Sequence, residues 1–234
     1  MKLIINDKIF EKFEGLNIGV IIAKDINNNG IPEDILIQIK DKEIFIRTNY
    51  KTETLSEHPK INCWRKAYSI FGGEPKKNKS SIESLYRRIL SGEELKHINK
   101  LVDIYNLLSI KYMLPIGGED LDKMQGDIEL TFASSNEKPI TTLGDKDARP
   151  PHENEVIYKD QISAICRRWN WREADRTKLT EETKNCILVI EGLSPSTKEG
   201  IEIVTKEFKD LVEKYCNGNL IYSILNKDNK EIEF

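Results

Sequence analysis

Six consecutive residues, Arg167, Arg168, Trp169, Asn170, Trp171 and Arg172, set guanidinium groups and indole rings side by side. Such groups stack on planar ligands and make directed hydrogen bonds. A second feature is the apolar run ILVI at 187–190, which ends in Glu191 and Gly192. A carboxylate closing an apolar run is either a solvated strand end or a recognition group in a pocket. The third is LPIGGED at 114–120, where Gly117 and Gly118 stand together after Pro115. This stretch reads as a loop, a plain turn or one whose bare backbone a ligand can approach closely. Finally, residues 64–100 carry nine basic and four acidic side chains, +5 in a chain of net −3, with Arg87 and Arg88 adjacent. That is either a local patch for RNA phosphates or a solvated helix face.

The elements that must position these groups follow from hydrophobic period and punctuation. Residues 2–6, 18–24, 35–40 and 43–47 are Ile- and Val-rich and read as strands, the last two joined by a hairpin at Asp41-Lys42. Around Pro59 a short helix or connection is expected. Helical spacing covers 64–71, 82–90 and 98–109, and Gly72-Gly73 and Ser91-Gly92 end the first two. Residues 127–133, 140–143, 156–158, 162–168, 187–191 and 220–225 read as strands. Ser196-Thr197-Lys198-Glu199 is a capping signal that opens a helix over 198–216. Strands and helices mix without regular βαβ alternation, so the class is α+β.

Other chemistries find no support. There is no GxxxxGK[ST] phosphate loop, GxGxxG turn, GxSxG elbow or HExxH helix. His58, His97 and His152 lie in connections and read as surface histidines. The four cysteines are scattered and form no metal-ligand spacing, which suits a reducing cytoplasm. No apolar run reaches the ~20 residues of a membrane span, and Met1 leads into a strand pattern rather than a signal peptide. No metal, no cofactor, no membrane and no DNA partner are expected.

Several phrases in order resemble one family. They are Trp64-Arg65-x-Ala67-Tyr68 with Phe71-Gly72, then Ser81-x-Glu83-Ser84-Leu85-x-Arg87-Arg88. Ile98-Asn99-x-Leu101-Val102-Asp103-x-x-Asn106 follows, then Leu114-Pro115-x-Gly117-Gly118-x-Asp120-x-Asp122, Cys166-Arg167-Arg168-Trp169-Asn170 and Glu191-Gly192. Together they are similar to free-standing relatives of the B3/B4 module, the editing domain of the phenylalanyl-tRNA synthetase β subunit. The resemblance spans about residues 60–195.

It implies a three-layer β/β/α sandwich and hydrolysis of an aminoacyl ester at the 3′ end of a mischarged tRNA, tyrosyl in the synthetase. It implies water as the attacking group, with substrate positioning and oxyanion stabilisation supplied by the pocket. Glu191 matches the glutamate that recognises the tyrosine hydroxyl, and Asn106 and Pro115 match the residues bordering the amino acid. Gly117 and Gly118 would offer backbone donors beside the ester, with Asn106 near the chemistry. Arg167, Arg168, Trp169 and Asn170 would hold the terminal nucleotide, and Arg87 and Arg88 the acceptor stem. Gly117 stands where the synthetase loop has a histidine, so two readings remain open: a trans-acting, cytoplasmic deacylase, or a module that kept the fold and binds tRNA or an amino acid without turnover. A role in protein interaction, with the arginine–tryptophan cluster as packing, is a third. No ATP-dependent ligase core is present. Residues 1–55 are expected to form a strand-rich segment packed on a main domain over 56–234.

Overall fold

The computed structural model describes residues 1–234. In chain order the elements are β1 (Lys2–Ile5), α1 (Asp7–Lys12), β2 (Asn17–Lys24), α2 (Glu33–Asn49), α3 (Pro59–Ile70), α4 (Ser81–Leu90), α5 (Lys100–Tyr112) and β3 (Ile116–Asp120). They continue with β4 (Ile128–Phe132), β5 (Val156–Lys159), β6 (Ala164–Arg167), β7 (Arg172–Glu173), β8 (Cys186–Gly192), α6 (Lys198–Cys216), β9 (Asn219–Leu225) and β10 (Glu231–Glu233). The fold is α+β, with two sheets and six helices. One sheet runs β10-β1-β4-β5-β6-β7 and the other β3-β8-β2-β9.

Helix α6 packs on one face of the four-stranded sheet, and α5 packs on α6 and β3. The six-stranded sheet lies across the opposite face, giving the order β/β/α. One continuous apolar core joins Leu3 and Ile128 of one sheet, Val20 and Ile187 of the other, and Phe208 of α6. The register fixes which side chains face the other sheet. Glu191 pairs with Ile18, Val189 with Val20 and Gly117, and Ile187 with Ile22 and Glu119. Directly opposed residues share a face. Gly117, Glu119, Ile187, Val189 and Glu191 therefore project together toward the six-stranded sheet.

The helix caps follow the sequence. The side chains of Ser80, Asn99 and Thr197 each accept a hydrogen bond from a first-turn N–H of α4, α5 and α6. Helix α3 begins earlier than expected because Pro59, lacking an N–H, fits the first turn.

Three expectations are corrected. Residues 33–49 form one helix rather than two strands and a hairpin. Ile35, Ile39, Glu43 and Ile46 recur at helical spacing and are buried, while Ile37, Ile44 and Phe45, which created the apparent alternation, are exposed. The diglycine stretch is strand β3 rather than a loop. A Cβ on Gly118 would lie 2.4 Å from Leu188 Cδ2 and 2.9 Å from the Ile187 carbonyl oxygen, so this position serves close strand packing. Residues 140–143 contribute isolated bridges only.

A tight approach also joins β2 to α6. A Cβ on Gly19 would sit 1.9 Å from Thr205 Oγ1 and 3.1 Å from Thr205 Cβ. Gly19→Ala is expected to lower unfolding free energy by about 2 kcal/mol through overpacking. Urea denaturation checks it, and Thr205→Ser in the same background should not restore stability, because the hydroxyl remains.

Candidate functional site

A cavity of about 230 Å³ opens between the two sheets. Ile187, Val189 and Glu191 of β8 and Gly117, Gly118 and Glu119 of β3 form one wall. Leu3, Ile128, Tyr158 and Ile165 form the opposite one, and Trp169, Asn170, Trp171, Arg172 and Glu173 complete the lining. The space suits a small ligand of about amino-acid size.

Glu191 is buried at one end. Its Oε1 accepts from Tyr158 Oη at 2.5 Å and Trp169 Nε1 at 2.8 Å, and its Oε2 from Asn170 Nδ2 at 2.7 Å. Burial pushes its pKa up to about 7, against the three donors that favour the carboxylate. Asn170 in turn accepts from Tyr68 Oη at 3.0 Å, and its carbonyl oxygen accepts from the Ser81 N–H at 2.9 Å. The hairpin carrying Trp169 and Asn170 is held in an unusual shape, with φ +47° at Arg168 and +66° at Trp169. That geometry turns the indole inward, where it packs edge-on against Phe13 at 4.7 Å and Trp64 at 5.1 Å.

The other end holds a second acidic group. Glu119 is 7% exposed, and its Oε2 has no hydrogen-bond partner. Burial and the nearby Glu173 charge both raise its pKa well above the carboxylate range. Glu173, on β7, is likewise pushed up to about 7 by desolvation, which the Gly118 N–H partly offsets. The missing side chain at Gly117 makes room for it: a Cβ there would stand 3.0 Å from Glu173 Oε1.

Trp171 and Arg172 line the cavity from its rim. The Arg168 and Arg172 guanidinium groups lie 4.4 and 4.8 Å from the Trp171 ring centroid.

The structure thus brings Gly117, Gly118, Trp169, Asn170 and Glu191 to one cavity. Asn106 is half-buried on α5, and Pro115 is buried with its carbonyl accepting from the Glu191 N–H at 3.0 Å; neither lines the cavity. Arg167 is interior, forked onto buried Glu155 at 2.9 Å through both Nε and Nη2. Trp169 has 0% exposure, so its ring cannot stack on a nucleotide. Arg87 pairs with Glu83 at 2.8 Å and Arg88 with Glu93 at 3.6 Å, both outside the cavity. Tyr158, Glu119 and Glu173 were not among the expected site residues. A hint existed for Glu119, which, like Glu191, is an acid after an apolar-and-glycine strand.

The B3/4 domain family model matches residues 63–225. The chain belongs to the B3/4 domain family. The phenylalanine–tRNA ligase beta subunit of Fusobacterium nucleatum subsp. nucleatum is 34% identical over 101 residues, 43% of this chain and 12% of that protein. This B3/4 chain therefore matches only a small part of that subunit's length. An N-terminal fragment of the phenylalanyl-tRNA synthetase beta subunit from Pyrococcus horikoshii superposes with a TM-score of 0.45 at 12% identity, covering 98% of this chain and 53% of that one. No helix of the B3/4 chain is long and apolar enough to cross a membrane.

Proposed function

We propose that this B3/4 protein removes a wrongly attached amino acid from tRNA, with the amino-acid moiety in the inter-sheet cavity and the terminal nucleotide at the rim. The observation that carries this reading is one amino-acid-sized cavity shared by the diglycine strand, Glu191 and the Trp171–arginine rim. β3 is an edge strand, so alternate backbone N–H groups point away from β8, and the one at Gly118 faces the Glu173 carboxyl at the cavity end. At the rim, Trp171 offers a stacking surface, with Arg168 and Arg172 as cations near the phosphates.

The amino acid removed is apolar rather than tyrosine. The phenol that the synthetase glutamate would take from a tyrosyl ester is here the chain's own Tyr158 hydroxyl, and three of about four acceptor positions on Glu191 are filled internally. The test is a panel of tRNAs mischarged with tyrosine and with apolar amino acids. Faster deacylation of an apolar ester than of the tyrosyl ester is expected, and Trp171→Ala should slow it about 10-fold, the worth of one base–aromatic stack. Release no faster than in buffer across the whole panel overturns the proposal. Gly117, at the synthetase histidine position, favours a second reading, a binding module without turnover; saturable tRNA binding with no deacylation would establish it.

A further inference from the structure

The geometry points to a ligand with an apolar body and a primary ammonium group, seated in the cavity with the ammonium between Glu119 and Glu173 and the body against Ile165, Ile187 and Val189. The two ends of the cavity differ in what they lack. At the Glu191 end, three donors of the chain itself satisfy the carboxylate. At the Glu119 end, a side chain more than nine-tenths buried lines the cavity and its Oε2 has no hydrogen-bond partner, while the buried Thr177 hydroxyl, near enough to favour the carboxylate, is itself unpaired. Buried polar atoms without partners are rare and costly, and a ligand is one source of the missing donor.

The cations of the neighbourhood do not supply it. Arg176 is engaged with Asp160 at 2.9 Å, and Arg172 with Asp145 at 2.8 Å. Asp120, next along β3, is held by the Thr183 hydroxyl at 2.7 Å and contributes only further negative charge. Two carboxyl groups at one end of an apolar space favour a cation over an anion or a neutral amide. An ammonium carries three donors, enough to meet the Glu119 and Glu173 carboxyl groups together. Glycine at position 117 is part of this site, because a side chain there would crowd Glu173. The volume admits an ammonium with one small apolar or aromatic body.

This deepens the proposed editing role, on which the identity of the ammonium as the α-amino group of an aminoacyl ester rests. Its binding test needs no RNA. Calorimetric titration at neutral pH compares L-phenylalaninamide and L-leucinamide with 3-phenylpropionamide, which keeps the phenylalaninamide skeleton but has no amine. Saturable binding of at least one amino-acid amide is expected, with the amine-free analogue at least 10-fold weaker than L-phenylalaninamide if the aromatic body is the one accepted. Blocking the amine of the amide that binds, by N-acetylation, should weaken it by the same factor. Glu119→Gln should weaken that amide at least 10-fold. No saturable binding of either amide, or equal binding with the amine free and blocked, overturns the inference even if Glu119→Gln fails to fold. Amide binding without any deacylation would overturn the editing role and leave the ammonium site standing. Deacylation unchanged in folded Glu119→Gln would overturn the ammonium site and leave the editing role standing.

Discussion

Replacing Glu191 by alanine will cost the fold about 4 kcal/mol, because three buried or partly buried donors lose their acceptor at once. Tyr158 Oη, Trp169 Nε1 and Asn170 Nδ2 all point at this carboxylate. Orphaned donors cost roughly 1–3 kcal/mol each, and water entering the adjacent cavity recovers part of that. Glu191→Gln keeps the shape but turns an N–H₂ toward a donor, so a loss of about 2 kcal/mol is expected.

The pH dependence separates the carboxyl from the space it fills. Burial raises the Glu191 pKa to about 7 in the folded chain, above its unfolded value of about 4.5. The folded state therefore binds more protons than the unfolded state between these values, and stability falls as pH rises through that window. Between pH 5 and pH 7 the Glu191 share is about 2 kcal/mol. Glu173 acts in the same direction, while His58, whose pKa burial lowers, opposes it in the upper part of the window. The difference between wild type and Glu191→Gln isolates Glu191: urea unfolding should show the gap between them wider at pH 5 than at pH 7. A gap independent of pH would mean that Glu191 is ionised in the fold at both values. Glu155 and Asp160, whose arginine partners hold them below the carboxylate range, lose their contribution only at lower pH.

What the sequence revealed depended on whether a residue's role is set by near neighbours. Helix α6 was legible because its cap at Thr197 and its buried stripe through Ile201, Val204, Phe208 and Val212 are local signals. Strand β8 and the position of Glu191 at its end were equally legible from one apolar run. Helix α2 was not, because Ile35, Ile37 and Ile39 alternate and Ile44 and Ile46 alternate again. Only the packing of Ile35, Ile39 and Ile46 decides between the periods. The diglycine stretch was misread because glycine signals turns and close packing alike, and the choice lies in Leu188 and Ile187 on another strand. Arg167 looked like an RNA contact because its acid, Glu155, comes from beyond its own strand.

The candidate site repeats this division. Its Glu191 end was visible as a motif, yet the meaning changed once Tyr158 took the place of a ligand hydroxyl. Its Glu119–Glu173 end was invisible, since the two acids are 54 positions apart and meet only because β3 and β7 border the same space. An edge strand without side chains at Gly117 is what lets the second acid approach. The residue that departs from the synthetase pattern is thus the one that leaves room for Glu173 at the end of the cavity where Glu119 lies.

Trp169→Ala is expected to be the most damaging single substitution in the site, at about 5 kcal/mol. The side chain has no exposed surface, and it contacts Phe13 and Trp64 edge-on. Truncating a fully buried tryptophan costs roughly 3–5 kcal/mol in lost burial and cavity. Here the variant also removes one of the three donors on Glu191, adding about 1 kcal/mol. Trp169→Phe keeps an aromatic ring but loses the N–H and part of the volume, and a loss of about 2 kcal/mol is expected. Denaturant unfolding of both variants measures these values, and tRNA binding of folded Trp169→Phe supplies the contrast. A ring that stacked on a nucleotide would give weakened RNA binding with stability nearly intact. The interior position requires the reverse: a large loss of stability, with RNA affinity in folded Trp169→Phe little changed. Trp171, half-buried at the cavity rim with the Arg168 and Arg172 guanidinium groups over its ring, should show the opposite pattern on truncation. Two tryptophans separated by one residue would then divide the work of the cluster, one anchoring the hairpin through Glu191 and the other presenting it to the ligand.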